Sequence, residues 1–153
     1  DRDVVPVDEV VADRLGRGRV VAFQPRQGVV GQHVAGLAAD RATSSDLVAL
    51  ESILTSTHAG LDPAESLAQD VAFHMQLARA ARNPLLVSLC QLSAGWVHTV
   101  RARSHATREG RRNSFEGHKE ILEAVRLHDH EQAVAAMTAH LGEVGRLVER
   151  STS

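Results

Sequence analysis

The chain has 153 residues, which is enough for one domain with a buried core, and we treat it as a single folded unit. A formal charge of −2 and an aromatic content of 3% provide neither the basic surface nor the stacking platform of a nucleic-acid-binding domain. No apolar run could span a bilayer, and the N-terminus does not resemble a signal peptide. We therefore expect a cytoplasmic protein, and expect its one cysteine, Cys90, to be a buried thiol in a reducing compartment.

Residues 1–28 are predicted to be an N-terminal arm or linker remnant, with a short hairpin as an equal alternative for its first part. Its valines favour β-structure, and Pro25 and Gly28 disfavour a helix. A first helix is predicted from about Val29 to Arg41. The folded domain therefore comprises residues 29–153.

Two further helices begin at recognisable capping residues. The segment Thr43–Asp46 supplies N-cap residues for a second helix, which ends near Gly60. Asp62 is followed by a proline, the typical first residue of a helix, and opens a third helix that runs to about Arg82.

Three more helices are predicted for the second half of the chain. Asn83 precedes a proline and so separates the third helix from a fourth, which extends to about Gly110. The apolar side of this fourth helix is predicted to contain Leu85, Leu89, Leu92, Trp96 and Val100. Ser114 is expected to cap a fifth helix, and Asp129 a sixth. The sequence thus predicts an all-α fold, an antiparallel bundle of six to seven helices.

Asp70 and His74 lie four residues apart in the third helix, so their side chains share one face and can reach one cation. That face also carries the apolar residues of the helix. Two polar groups on the core side of a helix require partners, because an unsatisfied polar group is costly to bury.

His118 and His140 also lie on the apolar sides of their helices, in phase with the leucine, isoleucine, valine and alanine residues around them. Together with Asp70 and His74 they provide three imidazoles and one carboxylate. This set suits a divalent transition metal, with Zn²⁺ or Ni²⁺ favoured and Mn²⁺ or Fe²⁺ possible. The alternative for each is a hydrogen-bonded core residue without a metal.

The chain has nine histidines, and those outside this set are expected to be largely exposed. His58, His128 and His130 lie at predicted helix ends, where solvated or dipole-compensating roles are usual. His98 and His105 are expected at the surface of the fourth helix, with a place in a pocket as the alternative.

These residues resemble the FCD domain, the effector-binding domain of FadR-type GntR-family bacterial transcription regulators. The resemblance covers about residues 30–150. Its matching pieces are Leu37–Thr43 with Asp46–Leu47, Asp70-x-x-Phe73-His74, Ala80–Leu85, His118–Val125 and Ala133–Leu141.

The resemblance implies a six- or seven-helix bundle, a homodimer, a divalent metal and a small carboxylate or hydroxy-acid effector in the same cavity. Carried over by position, the metal ligands are again Asp70, His74, His118 and His140. The sequence departs from the family in its first helix, where Gln27–His33 lacks the usual arginine and Leu-Glu pair. A winged helix-turn-helix, through which such regulators bind DNA, is not evident in this chain.

The leading functional hypothesis is therefore an effector-sensing domain and not an enzyme. Arg101 and Arg103 are candidates for pairing with an effector carboxylate, and Asn83 for donating a hydrogen bond to it. The alternatives are a metal-dependent enzyme, or a bundle in which the metal has only a structural role.

Overall fold

The computed structural model describes residues 18–58 and 60–150. Within these ranges the chain forms six helices and confirms the all-α bundle. They are α1 (Gly18–Arg41), α2 (Ser44–Thr55), α3 (Pro63–Ala80), α4 (Pro84–His105), α5 (Arg108–Arg126) and α6 (His130–Arg150).

Four of the predicted helix starts are confirmed by their hydrogen bonds. The Thr43 hydroxyl accepts from the Asp46 backbone N–H at the start of α2, while the Asp46 carboxylate accepts from the Thr43 backbone N–H. Asp62 caps α3, and Asn83 caps α4 by accepting from two backbone N–H groups. Asp129 accepts from a backbone N–H in the first turn of α6. These starts depend on local residues alone, as capping predicts.

The predicted start of the first helix is wrong, because α1 begins at Gly18 and not near Val29. The helix runs through Pro25 and Gly28, the residues expected to disfavour it. Tertiary packing offsets their cost: α1 contributes Val34 and three alanines to the core, and Gly31 allows α6 to approach it closely. Of the predicted arm, residues 1–17 lie outside the described residues, and the division of the chain at residue 28 stays a prediction.

The predicted connection between the fourth and fifth helices is also wrong. Helix α4 ends at His105, and α5 begins at Arg108 with Thr107 as its N-cap, so Ser114 lies inside α5. Gly110, which is predicted at a helix end, lies in the first turn of α5. A glycine is needed at this position because α4 and α5 are very close here. A Cβ at Gly110 would lie 1.7 Å from the Ser104 carbonyl oxygen.

The apolar side predicted for α4 faces outward. Three of its leucines are exposed: Leu85 at 80%, Leu89 at 44% and Leu92 at 78%. Helix α4 instead contacts the core through Leu86, Val87 and Cys90, and Cys90 is half-buried where full burial was expected. The side chain of Trp96 lies outside the described residues.

Alanines make up about half of the buried core residues, and the others are larger side chains from α1, α2, α3, α5 and α6. Small residues allow the helices to approach closely, and α5 packs against both α3 and α6. In the described part of the chain, no helix is both long and apolar enough to cross a membrane.

Candidate metal centre

Four polar side chains from three helices converge in the interior of the bundle. Helix α3 contributes Asp70 and His74, α5 contributes His118, and α6 contributes His140. One potential ligand atom from each lies within 4.8 Å of the other three. The structure thus brings together all four residues that the sequence predicted as a set.

The Asp70 Oδ1 atom lies near the middle of this cluster. It is 3.3 Å from His118 Nε2 and 3.7 Å from His74 Nε2, and those two nitrogens are 3.3 Å apart. The His140 ring completes the group, with its centroid 4.7 Å from that of His118. Nitrogen and oxygen atoms so close together could hold a single ion.

Two neighbouring residues fix the imidazoles in place. Phe73 stacks on His118, with ring centroids 4.2 Å apart and an interplanar angle of 15°. Gly117 leaves room for His140, because a Cβ at this position would lie 2.6 Å from His140 Nδ1. Packing against Phe73 therefore holds the His118 ring, and the absence of a Cβ at Gly117 provides the space for the His140 ring.

The Asp70 carboxylate is buried and lies beside Arg101 of α4, whose Nη1 is 3.1 Å from Asp70 Oδ2. Burial alone would raise the pKa of Asp70, but Arg101 and the surrounding imidazoles hold it well below its usual value. The carboxylate is therefore ionised at neutral pH. Even so, Oδ2 is the one buried side-chain nitrogen or oxygen in the described ranges that makes no hydrogen bond.

Burial and then the positive charge of Arg101 hold the pKa of His74 well below its ordinary value. Burial, followed by the neighbouring His118, lowers the pKa of His140 to about 3. Both rings are therefore neutral at physiological pH. A neutral imidazole has a free lone pair, and no proton must be displaced before it binds a metal.

An ionised carboxylate whose Oδ1 faces buried imidazoles is a donor set that fits a divalent transition metal. The other carboxylate oxygen, Oδ2, is paired in charge with Arg101 but accepts no hydrogen bond.

The sequence reasoning missed two polar residues next to this cluster. His105 was expected at the surface, with a place in a pocket as the alternative; it is 3% exposed, and its Nε2 lies 3.4 Å from Asp70 Oδ1. Its Nδ1 is 2.8 Å from the hydroxyl of Ser66, which is also buried. Ser66, Asp70 and His74 recur every four residues, and this spacing was the available signal for Ser66.

A third residue, Ser114, was assigned to a helix cap and instead donates its hydroxyl hydrogen to Asp70 Oδ1 at 3.2 Å. It precedes His118 by one helical turn on the buried side of α5. Asp70 is thus approached by polar groups from both α4 and α5.

Of the three residues predicted to bind an effector, the structure places only Arg101 at the cluster. Arg103 is exposed and lines a separate cleft of about 220 Å³ with Thr107, Glu109 and Arg150. The Asn83 side-chain oxygen already accepts the N–H groups that open α4. The effector roles of Arg103 and Asn83 stay predictions.

The remaining histidines are exposed, as expected. His58 accepts from the Gly60 backbone N–H, His130 lies 2.9 Å from Asp40, and the His128 ring lies 2.7 Å from the Ala39 carbonyl oxygen. Local contacts of this kind explain these residues without a metal.

The fold and the site define a class of domain, an all-helical bundle with one Asp and three His in its interior. Comparison with known proteins identifies the family. The sequence profile of the FCD domain matches residues 28–143. The chain belongs to the FCD domain family, and the resemblance seen in the sequence is confirmed.

Individual relatives agree with this assignment. The chain is 32% identical over 110 residues to the HTH-type transcriptional repressor NanR of Edwardsiella tarda, and 30% identical over the same length to NanR of Escherichia coli K12. Each match covers 70% of this chain but 42% of the relative, so the chain spans less than half the length of these repressors. Both are named as repressors and not as enzymes, in agreement with the sequence-based expectation.

A solved structure, Streptococcus agalactiae GntR, resembles the bundle with a TM-score of 0.69 and 27% identity. The similarity covers 94% of this chain and 62% of that protein. The fold is therefore shared with a GntR protein over nearly the whole chain.

Proposed function

We propose that this chain is the effector-sensing domain of a GntR-type transcription regulator, and that it binds a divalent metal together with a small organic acid. The observation that carries the proposal is the convergence of Asp70, His74, His118 and His140, whose ligand atoms lie within 4.8 Å of one another in the bundle interior. Membership of the FCD family supports the regulatory role.

The four residues would hold the metal through three imidazoles and one carboxylate. Such a set favours Zn²⁺ or Ni²⁺, with Mn²⁺ and Fe²⁺ next, and is poorly suited to Ca²⁺. When bound, the ion would supply a Lewis-acidic anchor for a carboxylate or hydroxyl oxygen of the effector.

The charge around the cluster also favours an acidic effector. Asp70 carries one negative charge, and the adjacent Arg101 balances it with one positive charge. A divalent ion would therefore leave the partly buried site positive, and an anion would compensate that charge. The Arg101 side chain is 21% exposed, and the planar fork of a guanidinium matches a carboxylate.

Three further parts of the proposal concern the partners and the location of the protein. A homodimer is supported by the exposed leucines of α4, which form an apolar row on the outside of the bundle. DNA would be bound through a winged helix-turn-helix that is not evident in this chain. The relatives named as repressors support this role and a cytoplasmic location.

The experiment that tests the metal and the effector together is a thermal melt of the chelator-treated protein. At a Zn²⁺ concentration of 100 times its Kd, the metal should stabilise the fold by about 2.7 kcal/mol and raise the Tm by roughly 5–10 °C. Acetate, lactate, succinate and citrate are then added in turn, and at least one should raise the Tm further in the metal-loaded protein only.

His118→Ala should remove both effects, whereas His98→Ala, which changes an exposed histidine, should preserve them. Absence of Zn²⁺ binding by the wild-type protein would contradict the metal site. Metal stabilisation without a response to any acid would favour a purely structural metal.

The dimer is tested by sedimentation of the wild-type protein and of a Leu85→Asn, Leu92→Asn double variant. Both leucines are more than three-quarters exposed, so the substitutions should leave the fold intact. We expect a dimer for the wild type and a shift toward monomer for the variant. A wild type that remains monomeric at all concentrations would contradict this part of the proposal.

A further inference from the structure

Ser66 and His105 form a buried polar pair beside the candidate metal site, and neither is one of its four candidate ligands. Ser66 lies one helical turn before Asp70 on α3, and His105 is the last residue of α4. Ser66 is 1% exposed and His105 is 3% exposed, so both are shielded from solvent. His105 is not among the four residues whose ligand atoms converge.

The contacts of the pair lead to the metal-binding carboxylate. Ser66 Oγ is 2.8 Å from His105 Nδ1, and His105 Nε2 is 3.4 Å from Asp70 Oδ1. An ionised carboxylate can only accept hydrogen bonds, so the tautomer with its hydrogen on Nε2 is the one that would let His105 donate toward Asp70. In a neutral ring, Nδ1 is then the acceptor for the Ser66 hydroxyl.

The backbone also fixes the position of His105. Its carbonyl oxygen accepts a hydrogen bond from Arg111 at 2.9 Å, which joins the end of α4 to α5. Gly110 allows the two helices to meet closely at this point. The backbone of His105 is therefore held at the helix connection, and its ring is held by Ser66 at Nδ1.

We propose that Ser66 and His105 are positioning residues that orient the Asp70 carboxylate toward the metal. The inference rests on the metal site of the proposed function. Residues that hydrogen-bond to a metal-binding carboxylate restrict its rotation and adjust its basicity, and their loss commonly weakens metal affinity 10- to 100-fold. Arg101 holds the opposite oxygen, so the carboxylate is restrained on both sides.

The test measures Zn²⁺ affinity by competition with a chromophoric chelator, in the full chain and in four variants. His105→Met removes both ring nitrogens at similar volume and should weaken Zn²⁺ binding 10- to 100-fold. Ser66→Ala removes only the hydroxyl and should weaken it about threefold to tenfold. His105→Gln keeps an N–H donor and should bind Zn²⁺ more tightly than His105→Met. His98→Met, the exposed control on the same helix, should match the wild type.

A second readout separates positioning from a general effect on stability. Co²⁺ replaces Zn²⁺, and its visible absorption reports the ligand geometry. The His105→Met and Ser66→Ala proteins should show an altered Co²⁺ spectrum, and each metal-free variant is melted alongside.

Wild-type affinity and spectrum in Ser66→Ala and His105→Met would overturn the inference, even if the metal-free fold of either variant is destabilised. If His105→Met fails to fold, Ser66→Ala and His105→Gln decide the question in the same way. A wild-type protein that binds neither Zn²⁺ nor Co²⁺ would overturn the proposed function, and this inference with it.

Discussion

Asp46 and Asp70 are two buried aspartates that each face an arginine, yet their surroundings differ in kind. Asp46 accepts hydrogen bonds from the Thr43 backbone and hydroxyl and pairs with Arg82 at 2.6 Å. Asp70 is approached by groups from α4 and α5, and one of its oxygens makes no hydrogen bond.

The comparison separates a structural carboxylate from a candidate ligand. Burial opposes ionisation of both carboxyl groups, and in both cases the neighbours lower the pKa below its ordinary value. A low pKa therefore does not distinguish them. The two aspartates differ in where their partners come from. Asp46 is bound by groups at the start of its own helix and by an arginine just after the end of α3, whereas Asp70 is approached by imidazoles from other helices.

The largest expected effect is the loss of metal binding in Asp70→Asn. The amide removes the negative charge at the centre of the cluster, and we expect Zn²⁺ affinity to fall by at least about 100-fold, or about 2.7 kcal/mol. Asp46→Asn should bind Zn²⁺ as the wild type does. Chelator competition on both variants checks the difference, and equal losses would remove the distinction between the two aspartates.

A smaller effect is expected from Gly117→Ala, which leaves all four candidate ligands in place. The new Cβ would lie 2.6 Å from His140 Nδ1, so the ring must move, and we expect Zn²⁺ affinity to fall about tenfold or more. Gly95→Ala is the matched control, because a Cβ there meets nothing within 4 Å. That control should retain affinity and gain roughly 0.5–1 kcal/mol of helix stability. Unchanged affinity in Gly117→Ala would mean that His140 does not bind the metal from this position.

The smallest effect concerns Asp46→Asn and the fold itself. The amide weakens the capping interactions and the contact with Arg82, and we expect urea denaturation at pH 7 to show a loss of about 1–2 kcal/mol. Because the folded-state pKa of Asp46 is lowered, its ionised form stabilises the native protein above the unfolded pKa of about 3.9. That contribution is lost as the pH falls through the lower, folded-state pKa.

The same denaturation series, continued toward acid, therefore measures the charge of Asp46 directly. The difference between wild type and variant should be constant above about pH 5 and should decrease below about pH 4. A difference that does not change with pH would mean that only the neutral hydrogen-bonding geometry matters.

Four of the six helix starts could be predicted because their causes are local. Asp62, Asn83 and Asp129 act on N–H groups two or three residues away, and the spacing is visible in the chain. The four converging residues could be predicted for a related reason, since helical phase decides which side chains face inward.

The remaining features depend on how the helices pack. The phase of α4 was assigned from Leu85, Leu89 and Leu92, but the helix turns those leucines outward. His105 is buried because α4 ends against α5, and that contact depends on Gly110. No pattern within one helix contains this information.

The stack of Phe73 on His118 has a consequence for the entropy of metal binding. A free histidine side chain loses rotational freedom when it binds an ion, and this loss weakens the complex. The His118 ring is 2% exposed and lies flat against Phe73, so most of that freedom is lost when the protein folds. Because His118 has already lost this conformational entropy on folding, metal binding loses less entropy at this ligand.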